Sequence, residues 1–136
     1  MNPKVIVVIL NWNGRNYLEQ FLPSVISSTY PNLEIIVADN GSTDDSIAIV
    51  RSRFPTIRII ELKENFGFAR GYNEALKELT GDYFVLLNSD VEVPPGWIEP
   101  IIQMMESDKT IGVSQPKLLM YSDHKSFEYV LAIIHM

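Results

Sequence analysis

The chain alternates short apolar runs with stretches in which apolar residues recur every three or four positions. A continuous apolar run, without polar interruption, is typical of a strand buried on both faces. Strands are therefore predicted at Val5–Leu10, Leu33–Ala38, Ile57–Leu62, Tyr83–Leu87 and Ile111–Val113, and Lys117–Met120 is a candidate for another.

Between these runs, apolar residues recur at the spacing of one face of a helix. The first helix is predicted from about Asn16, and the second after Ser42 or Thr43 as its N-cap. The third is predicted at about Ala69–Leu79. The fourth should have Pro95 at its first position, because proline suits a residue whose N–H needs no helical partner.

Strands that alternate with helices predict an α/β fold, a Rossmann-like and mostly parallel sheet with helices on both faces. The carboxyl ends of parallel strands share one edge of the sheet, where ligands bind in open α/β folds. The polar turns Asn11–Gly14, Asp39–Asp45 and Asn88–Asp90 each follow a strand. We therefore expect these turns to meet at that edge.

Composition narrows the possible functions. The 136 residues carry a net charge of −6, contain no cysteine and show no cluster of Lys and Arg, so a nucleic-acid partner is not expected. An anionic substrate would need a local device such as a metal ion or backbone amides. No apolar run is long enough to span a bilayer. A cytoplasmic protein is the default expectation.

Asn88 and Asp90 end the apolar run Tyr83–Leu87 and lie two residues apart. Side chains at this spacing point to the same face of a strand. Mg²⁺ and Mn²⁺ prefer oxygen ligands, and with a phosphate present they need only one or two from the protein. The pattern indicates a metal–diphosphate site, with a simple polar turn as the alternative. P-loop and dinucleotide-binding glycine motifs are absent.

Four blocks together resemble the inverting glycosyltransferases of family 2, which have the GT-A fold, and especially their rhamnosyltransferase-like bacterial branch. The resemblance extends from about residue 5 to about residue 118. The blocks are Val8–Gly14, Val37–Asp44, Asn65–Asn73, and Leu86–Asp90 with Pro94–Trp97.

The resemblance implies a role for each matching position. Asp39 would accept a hydrogen bond from the imide N–H of uracil or thymine, with a turn or helix cap as the alternative. Trp12 would line the base and ribose pocket or belong to the core, and Arg70 would approach the phosphates or lie on a solvated helix face. The implied substrate-binding residues are Asn11, Trp12, Asn13, Asp39, Asn40, Asn65, Gly67, Arg70, Asn73, Asn88 and Ser89.

Asn88-Ser89-Asp90 stands where the family has a D-x-D motif, with Asn in place of the first Asp. The resemblance implies that Asp90 binds Mg²⁺ or Mn²⁺. The implied reaction transfers a sugar, with inversion, from a UDP- or dTDP-linked donor to a saccharide or lipid-linked acceptor. Bacterial surface polysaccharide synthesis is the implied setting, at the inner face of the membrane if the protein associates peripherally.

Residues 1–120 are expected to form the nucleotide-sugar-binding domain, and 121–136 an uncertain tail of a truncated protein. The resemblance implies that the catalytic base lies in the later part of the domain, which is expected to be absent here, so the base is unassigned. Glu92 and Glu99 are nearby carboxylates, but they fit a solvated loop and helix face better. A non-catalytic nucleotide-sugar-binding fragment is the alternative function. A receiver-like signalling domain is disfavoured, since Asn11-Trp12-Asn13 replaces its acidic residues. The apolar tail would also allow a homodimer.

Overall fold

The computed structural model describes residues 2–126 and 132–135. Strands and helices alternate as far as residue 107, as the apolar pattern predicts, two further strands follow, and the predicted α/β fold is confirmed. In chain order they are β1 (Val5–Asn11), α1 (Arg15–Ile26), β2 (Leu33–Asp39), α2 (Ser46–Arg53), β3 (Arg58–Glu61), α3 (Phe68–Leu76), β4 (Tyr83–Asn88), α4 (Glu99–Ser107), β5 (Val113–Ser114) and β6 (Ala132–His135).

The strands form one sheet in the order β3-β2-β1-β4-β6-β5. Strands β3, β2, β1 and β4 run parallel to their neighbours, as expected for strands joined by helical crossovers. Strand β6 pairs antiparallel with β4, and β5 pairs antiparallel with β6. The centre of the sheet is therefore parallel, and one flank is antiparallel.

Both faces of the sheet are covered, as the uninterrupted apolar runs predict. Alternate residues of β1 point to opposite faces, so Val7 joins the core under α1, α2 and α4, while Val8 joins the core under α3. Both residues are fully buried. This two-sided packing makes the sheet a rigid base for the loops at its carboxyl edge, the edge where the parallel strands end.

The structure corrects the predicted start of α4. The helix begins at Glu99 and has Pro100, not Pro95, in its first turn. Residues 95–98 form a turn that is bound to the segment after α1, where Thr29 N donates to Pro95 O at 2.8 Å and Trp97 Nε1 donates to Ser28 Oγ at 2.8 Å. These tertiary hydrogen bonds outweigh the preference of Pro95 for a first helical position.

The predicted cap of α2 is also wrong. The N-cap is Asp45, without a side-chain capping bond, so neither Ser42 nor Thr43 caps the helix.

The candidate strand Lys117–Met120 does not form. Only Leu119 makes an isolated β-bridge there. Among the residues that the structure describes, no helix combines the length and apolar character needed to cross a bilayer.

Candidate functional site

The sheet register brings the polar strand ends to one edge. Asn11 at the end of β1 lies opposite Asp39 at the end of β2, and Leu10 lies opposite Asn88 at the end of β4. Gly14, in the first polar turn, lies next to Ser89 in the third polar turn. A Cβ built on Gly14 would be 3.5 Å from Ser89 Oγ. The three polar turns thus meet at the carboxyl edge.

Asp39 is held by hydrogen bonds from both sides. Asn11 Nδ2 donates to Asp39 Oδ1 at 3.0 Å, Ser42 Oγ donates to the same oxygen at 2.6 Å, and Ser42 N donates to Asp39 Oδ2 at 2.9 Å. Asn11 is fully buried, and Asp39 is 4% exposed. The bond from Ser42 N, three residues after Asp39, is a local side-chain-to-backbone bond, so Asp39 has a role in shaping the turn in this structure.

Asn13 joins the first polar turn to the second. Its side-chain Oδ1 accepts from Thr43 N at 2.7 Å and from Asp44 N at 3.2 Å, while its backbone N donates to Ser42 Oγ at 2.9 Å. Asn13 adopts a left-handed conformation with φ 50°, which Asn tolerates better than most residues. The turn therefore depends on both the side chain and the backbone of Asn13.

Asn40 fixes the loop that leads into α3. Its Nδ2 donates to Asn65 Oδ1 at 3.1 Å and to Gly67 O at 3.0 Å, and its Oδ1 accepts from Phe66 N at 3.0 Å. Asn65 Oδ1 also accepts from Gly67 N at 2.8 Å. Gly67 has φ 76°, a left-handed conformation that favours glycine. These three residues therefore shape the loop in this structure.

Three other predicted residues lie on the surface. Trp12 is 57% exposed, so the interpretation of Trp12 as a core residue is wrong. Arg70 stacks over the Phe66 ring at 4.2 Å and has its Nε 3.9 Å from Glu74 Oε1. Asn73 is exposed on α3. Each of these side chains is accessible from solvent.

A hollow of about 520 Å³ opens beside the end of β4. Asn88 and Asp90 lie in its wall, whereas Asp39 does not. Sequence reasoning gave no site role to the other polar residues of this wall, because they are scattered along the chain and form no motif. They are Glu92, Lys117, Tyr121 and His124.

The donor set of this hollow fits a divalent cation only if a ligand supplies most of the coordination. Asp90 offers one exposed carboxylate and Asn88 one amide oxygen. Among residues 2–126 and 132–135, no three His, Cys, Asp or Glu side chains are grouped closely enough to hold a metal ion. This arrangement suits Mg²⁺ or Mn²⁺ bound jointly with a diphosphate, since these ions need few protein ligands in that case.

Tyr72 ties α3 to the end of β4. Its hydroxyl donates to Leu87 O at 2.9 Å, and the side chain is buried. Burial disfavours the phenolate and raises the pKa of Tyr72 to about 12. The hydroxyl therefore remains protonated at neutral pH and anchors the strand next to Asn88.

A model of glycosyl transferase family 2 matches residues 6–128. An uncharacterised glycosyltransferase of Haemophilus influenzae is 35% identical over 112 residues, which cover 80% of this chain and 35% of that protein. The chain thus spans about a third of the length of this curated relative.

Solved structures show the same fold. The mannosyltransferase PcManGT from Pyrobaculum calidifontis, in complex with GDP-Man and Mn²⁺, has a TM-score of 0.80 and 25% identity, and the match covers 99% of this chain and 45% of that one. TarS from S. aureus, in complex with UDP-GlcNAc, has a TM-score of 0.75 and 22% identity, over 85% of this chain and 34% of that one. The TarS likeness concerns the fold alone.

Proposed function

Since the chain belongs to glycosyl transferase family 2, we propose that it forms the donor-binding part of an enzyme that transfers a sugar from a nucleoside diphosphate to an acceptor hydroxyl. The observation that carries this proposal is the alignment of Asn11, Asp39 and Asn88 at neighbouring strand ends of a parallel sheet. Ligands of open α/β folds bind at such an edge.

The base and ribose of the donor would lie near the first two polar turns. Asp39 carries an acceptor-only carboxylate, which suits a ring N–H of uracil or thymine. Trp12 is exposed in the first polar turn and would offer an aromatic face to the base or ribose. We therefore propose a UDP- or dTDP-linked donor, although the similar PcManGT was solved with GDP-Man.

The diphosphate would lie in the hollow beside β4. Asp90, assisted by Asn88, would hold Mg²⁺ or Mn²⁺ together with the phosphate oxygens, while Ser89, Arg70 and Asn73 would border the donor. The cation would act as a Lewis acid that neutralises the departing diphosphate. It would also offset the net charge of −6, which disfavours an anionic ligand.

Further parts of the proposal rest on the family alone. They are inversion at the anomeric carbon, a saccharide or lipid-linked acceptor, a role in bacterial surface polysaccharide synthesis, and a cytoplasmic site of action at the inner face of the membrane. The base that deprotonates the acceptor hydroxyl is assigned to none of the described residues.

A donor-binding module without turnover is the second candidate, because the proposed site supplies groups for the donor while none of the described residues is assigned as the base for the acceptor hydroxyl. Release of UDP from a sugar nucleotide, compared between this chain and a longer form of the protein, separates the two. Turnover by the longer form alone would support the binding module, and turnover by neither would contradict the transferase.

The first prediction concerns Asp90. UDP with Mn²⁺ should raise the melting temperature by several degrees, since a ligand at about a hundred times its Kd stabilises by roughly 2.7 kcal/mol. Asp90→Ala should abolish the part of this shift that requires Mn²⁺, because the only proposed carboxylate ligand is gone. Thermal melts with UDP, dTDP, GDP and CDP, each with and without Mn²⁺, measure both effects.

Glu78→Ala is the matched control, because Glu78 is an exposed carboxylate between α3 and β4, at the opposite edge of the sheet. It should leave the Mn²⁺-dependent shift intact. A full Mn²⁺ response in Asp90→Ala would remove Asp90 from the metal site, and no response of the wild-type chain to any nucleotide would contradict donor binding.

A further inference from the structure

We propose that Ser42 is a positioning residue for base recognition, which holds the Asp39 carboxylate so that one of its acceptor positions stays open for a single N–H of the base. This inference rests on the proposed donor site and deepens it. Ser42 makes no contact with the base in this proposal and acts through Asp39.

Ser42 has every polar group of its side chain engaged. The hydroxyl donates to Asp39 Oδ1 at 2.6 Å and accepts from Asn13 N at 2.9 Å and Asn11 Nδ2 at 3.2 Å. A serine hydroxyl has one donor and two acceptor positions, so these three bonds use all of them. The hydroxyl cannot rotate without breaking a bond, and its hydrogen is therefore directed at Asp39.

This arrangement is separate from helix capping. The N-cap of α2 is Asp45, and the hydroxyl and backbone N of Ser46 both donate to Asp44. The Ser42 hydroxyl is thus free of the role that its place before a helix predicts. What it contacts instead is the carboxylate of Asp39.

The acceptor positions of Asp39 can be counted. An ionised carboxylate has about four lone-pair positions. Asp39 Oδ1 accepts from Asn11 Nδ2 and Ser42 Oγ, and Oδ2 accepts from Ser42 N. One position, on Oδ2, remains. Because Asp39 is 4% exposed and bonded to two turns, it has little freedom to present both oxygens to a ligand.

A single open acceptor selects for a ring with one suitable N–H. Uracil and thymine carry a hydrogen on N3, whereas N3 of cytosine is itself an acceptor and would face the carboxylate with a lone pair. A buried polar group without a partner is unfavourable. We therefore expect this site to prefer UDP to CDP, although the two share the ribose and the diphosphate.

The second prediction is that Ser42→Ala weakens UDP binding by roughly tenfold, the size expected for a lost hydrogen bond to a charged group. CDP binding should stay within about twofold, because CDP gains nothing from the orientation of Asp39. The UDP/CDP preference should therefore shrink. Isothermal titration of both nucleotides in the presence of Mn²⁺ measures the two dissociation constants.

Two further variants separate positioning from a general structural role. Ser42→Thr keeps the hydroxyl and should restore most of the UDP/CDP preference. In the background of Asp39→Asn, Ser42→Ala should cost no additional UDP affinity, because its effect passes through the carboxylate. If Ser42→Ala does not fold, Ser42→Cys keeps a side chain of the same shape, slightly larger, weakens the donated bond and supports the same comparison.

The outcomes distinguish this inference from the proposed function. Equal losses of UDP and CDP affinity in Ser42→Ala, or full additivity with Asp39→Asn, would overturn the role of Ser42 and leave donor binding intact. A wild-type chain that binds neither nucleotide would overturn both proposals.

Discussion

The shape of the first polar turn depends on the lack of a side chain at Gly14. A Cβ added to it would lie 2.4 Å from Asn11 Oδ1, far inside van der Waals contact. That oxygen is buried and has no hydrogen-bond partner in the described structure. The absence of a side chain at Gly14 therefore lets Asn11 keep its amide nitrogen directed at Asp39.

The third prediction follows from this contact. Gly14→Ala should push the Asn11 amide away from Asp39, lower stability by about 1–3 kcal/mol, and weaken UDP binding. Urea denaturation and nucleotide titration measure the two effects. Gly112→Ala is the control, because a Cβ at Gly112 has no atom within 4 Å. Equal stability of the two variants would show that the turn relaxes freely around the added methyl group.

The sequence predicted which residues end the strands, but not which side chains they contact. Asp39 and Asn88 follow apolar runs, and parallel strands bring such positions together whatever the loops do. Ser42 contacts Asn11 across 31 positions of the chain, and this pairing depends on the exact path of two turns. Local patterns assigned Ser42 to a helix start, so its bond to Asp39 was missed.

At the scale of elements, the bounds of the central strands were predictable, whereas the starts of α2 and α4 were not. Strand bounds follow from continuous apolar runs, and those of β1, β2 and β4 differ from prediction by one residue. Helix starts depend on tertiary contacts as well as on capping preference. The turn at residues 95–98 is the example, because its bonds to Thr29 and Ser28 delay α4 until Glu99.

Ion pairs at the opposite edge of the sheet connect its first three parallel strands. Glu34 Oε2, in β2, lies 2.8 Å from the Nζ of Lys4, the residue before β1. Glu34 Oε1 lies 3.5 Å from Nη1 of Arg58 in β3. The hydrogen bond from Lys4, with smaller contributions from the charges of Lys4 and Arg58, lowers the pKa of Glu34 below its ordinary value of 4.5. The folded state therefore favours the ionised carboxylate.

The fourth prediction is a pH dependence that follows from this shift. A depressed folded-state pKa stabilises the protein above pH 4.5, and the contribution is lost as the pH falls through the lowered value. Glu34→Gln should lower the melting temperature at pH 7 by a small amount, since partly exposed ion pairs contribute about 0–1 kcal/mol. The difference from wild type should shrink as the pH falls below 4.5 and vanish once Glu34 is protonated in the folded protein as well.

Thermal melts of Glu34→Gln and wild type, from pH 7 down into the acid range, measure how the difference in melting temperature changes with pH. Glu78→Gln is the control, because Glu78 is an exposed carboxylate after α3 that makes no ion pair among the described residues. This variant should show no pH-dependent difference in melting temperature from wild type. A difference for Glu34→Gln that persists unchanged at low pH would mean that packing of the side chain, and not its charge, is responsible.

At the scale of the whole molecule, β6 closes the flank of the parallel sheet. It covers the edge of β4 along Tyr83–Leu86, which would otherwise present unpaired backbone groups of a buried, apolar strand. The sequence left open whether the last apolar stretch forms a helix or a strand. The choice depends on the unpaired edge of β4, which no local pattern near residue 132 describes.

The fifth prediction is that a variant ending at residue 126 unfolds at a lower temperature and associates into dimers or larger aggregates. The exposed edge of β4 is the reason, because open apolar edges pair with other chains. A variant ending at residue 135 keeps all of β6 and serves as the control. Light scattering and thermal melts compare them, and equal behaviour would mean that β4 needs no cover.

The position of β6 in the chain also has a consequence for synthesis on the ribosome. β4 ends at Asn88, and the residues that cover its edge begin 44 positions later, at Ala132. At about 5–20 residues per second, the nascent chain carries an uncovered β4 for roughly 2–9 seconds. During this interval the emerging polypeptide has one edge of a buried, apolar strand open to chaperones and to neighbouring nascent chains.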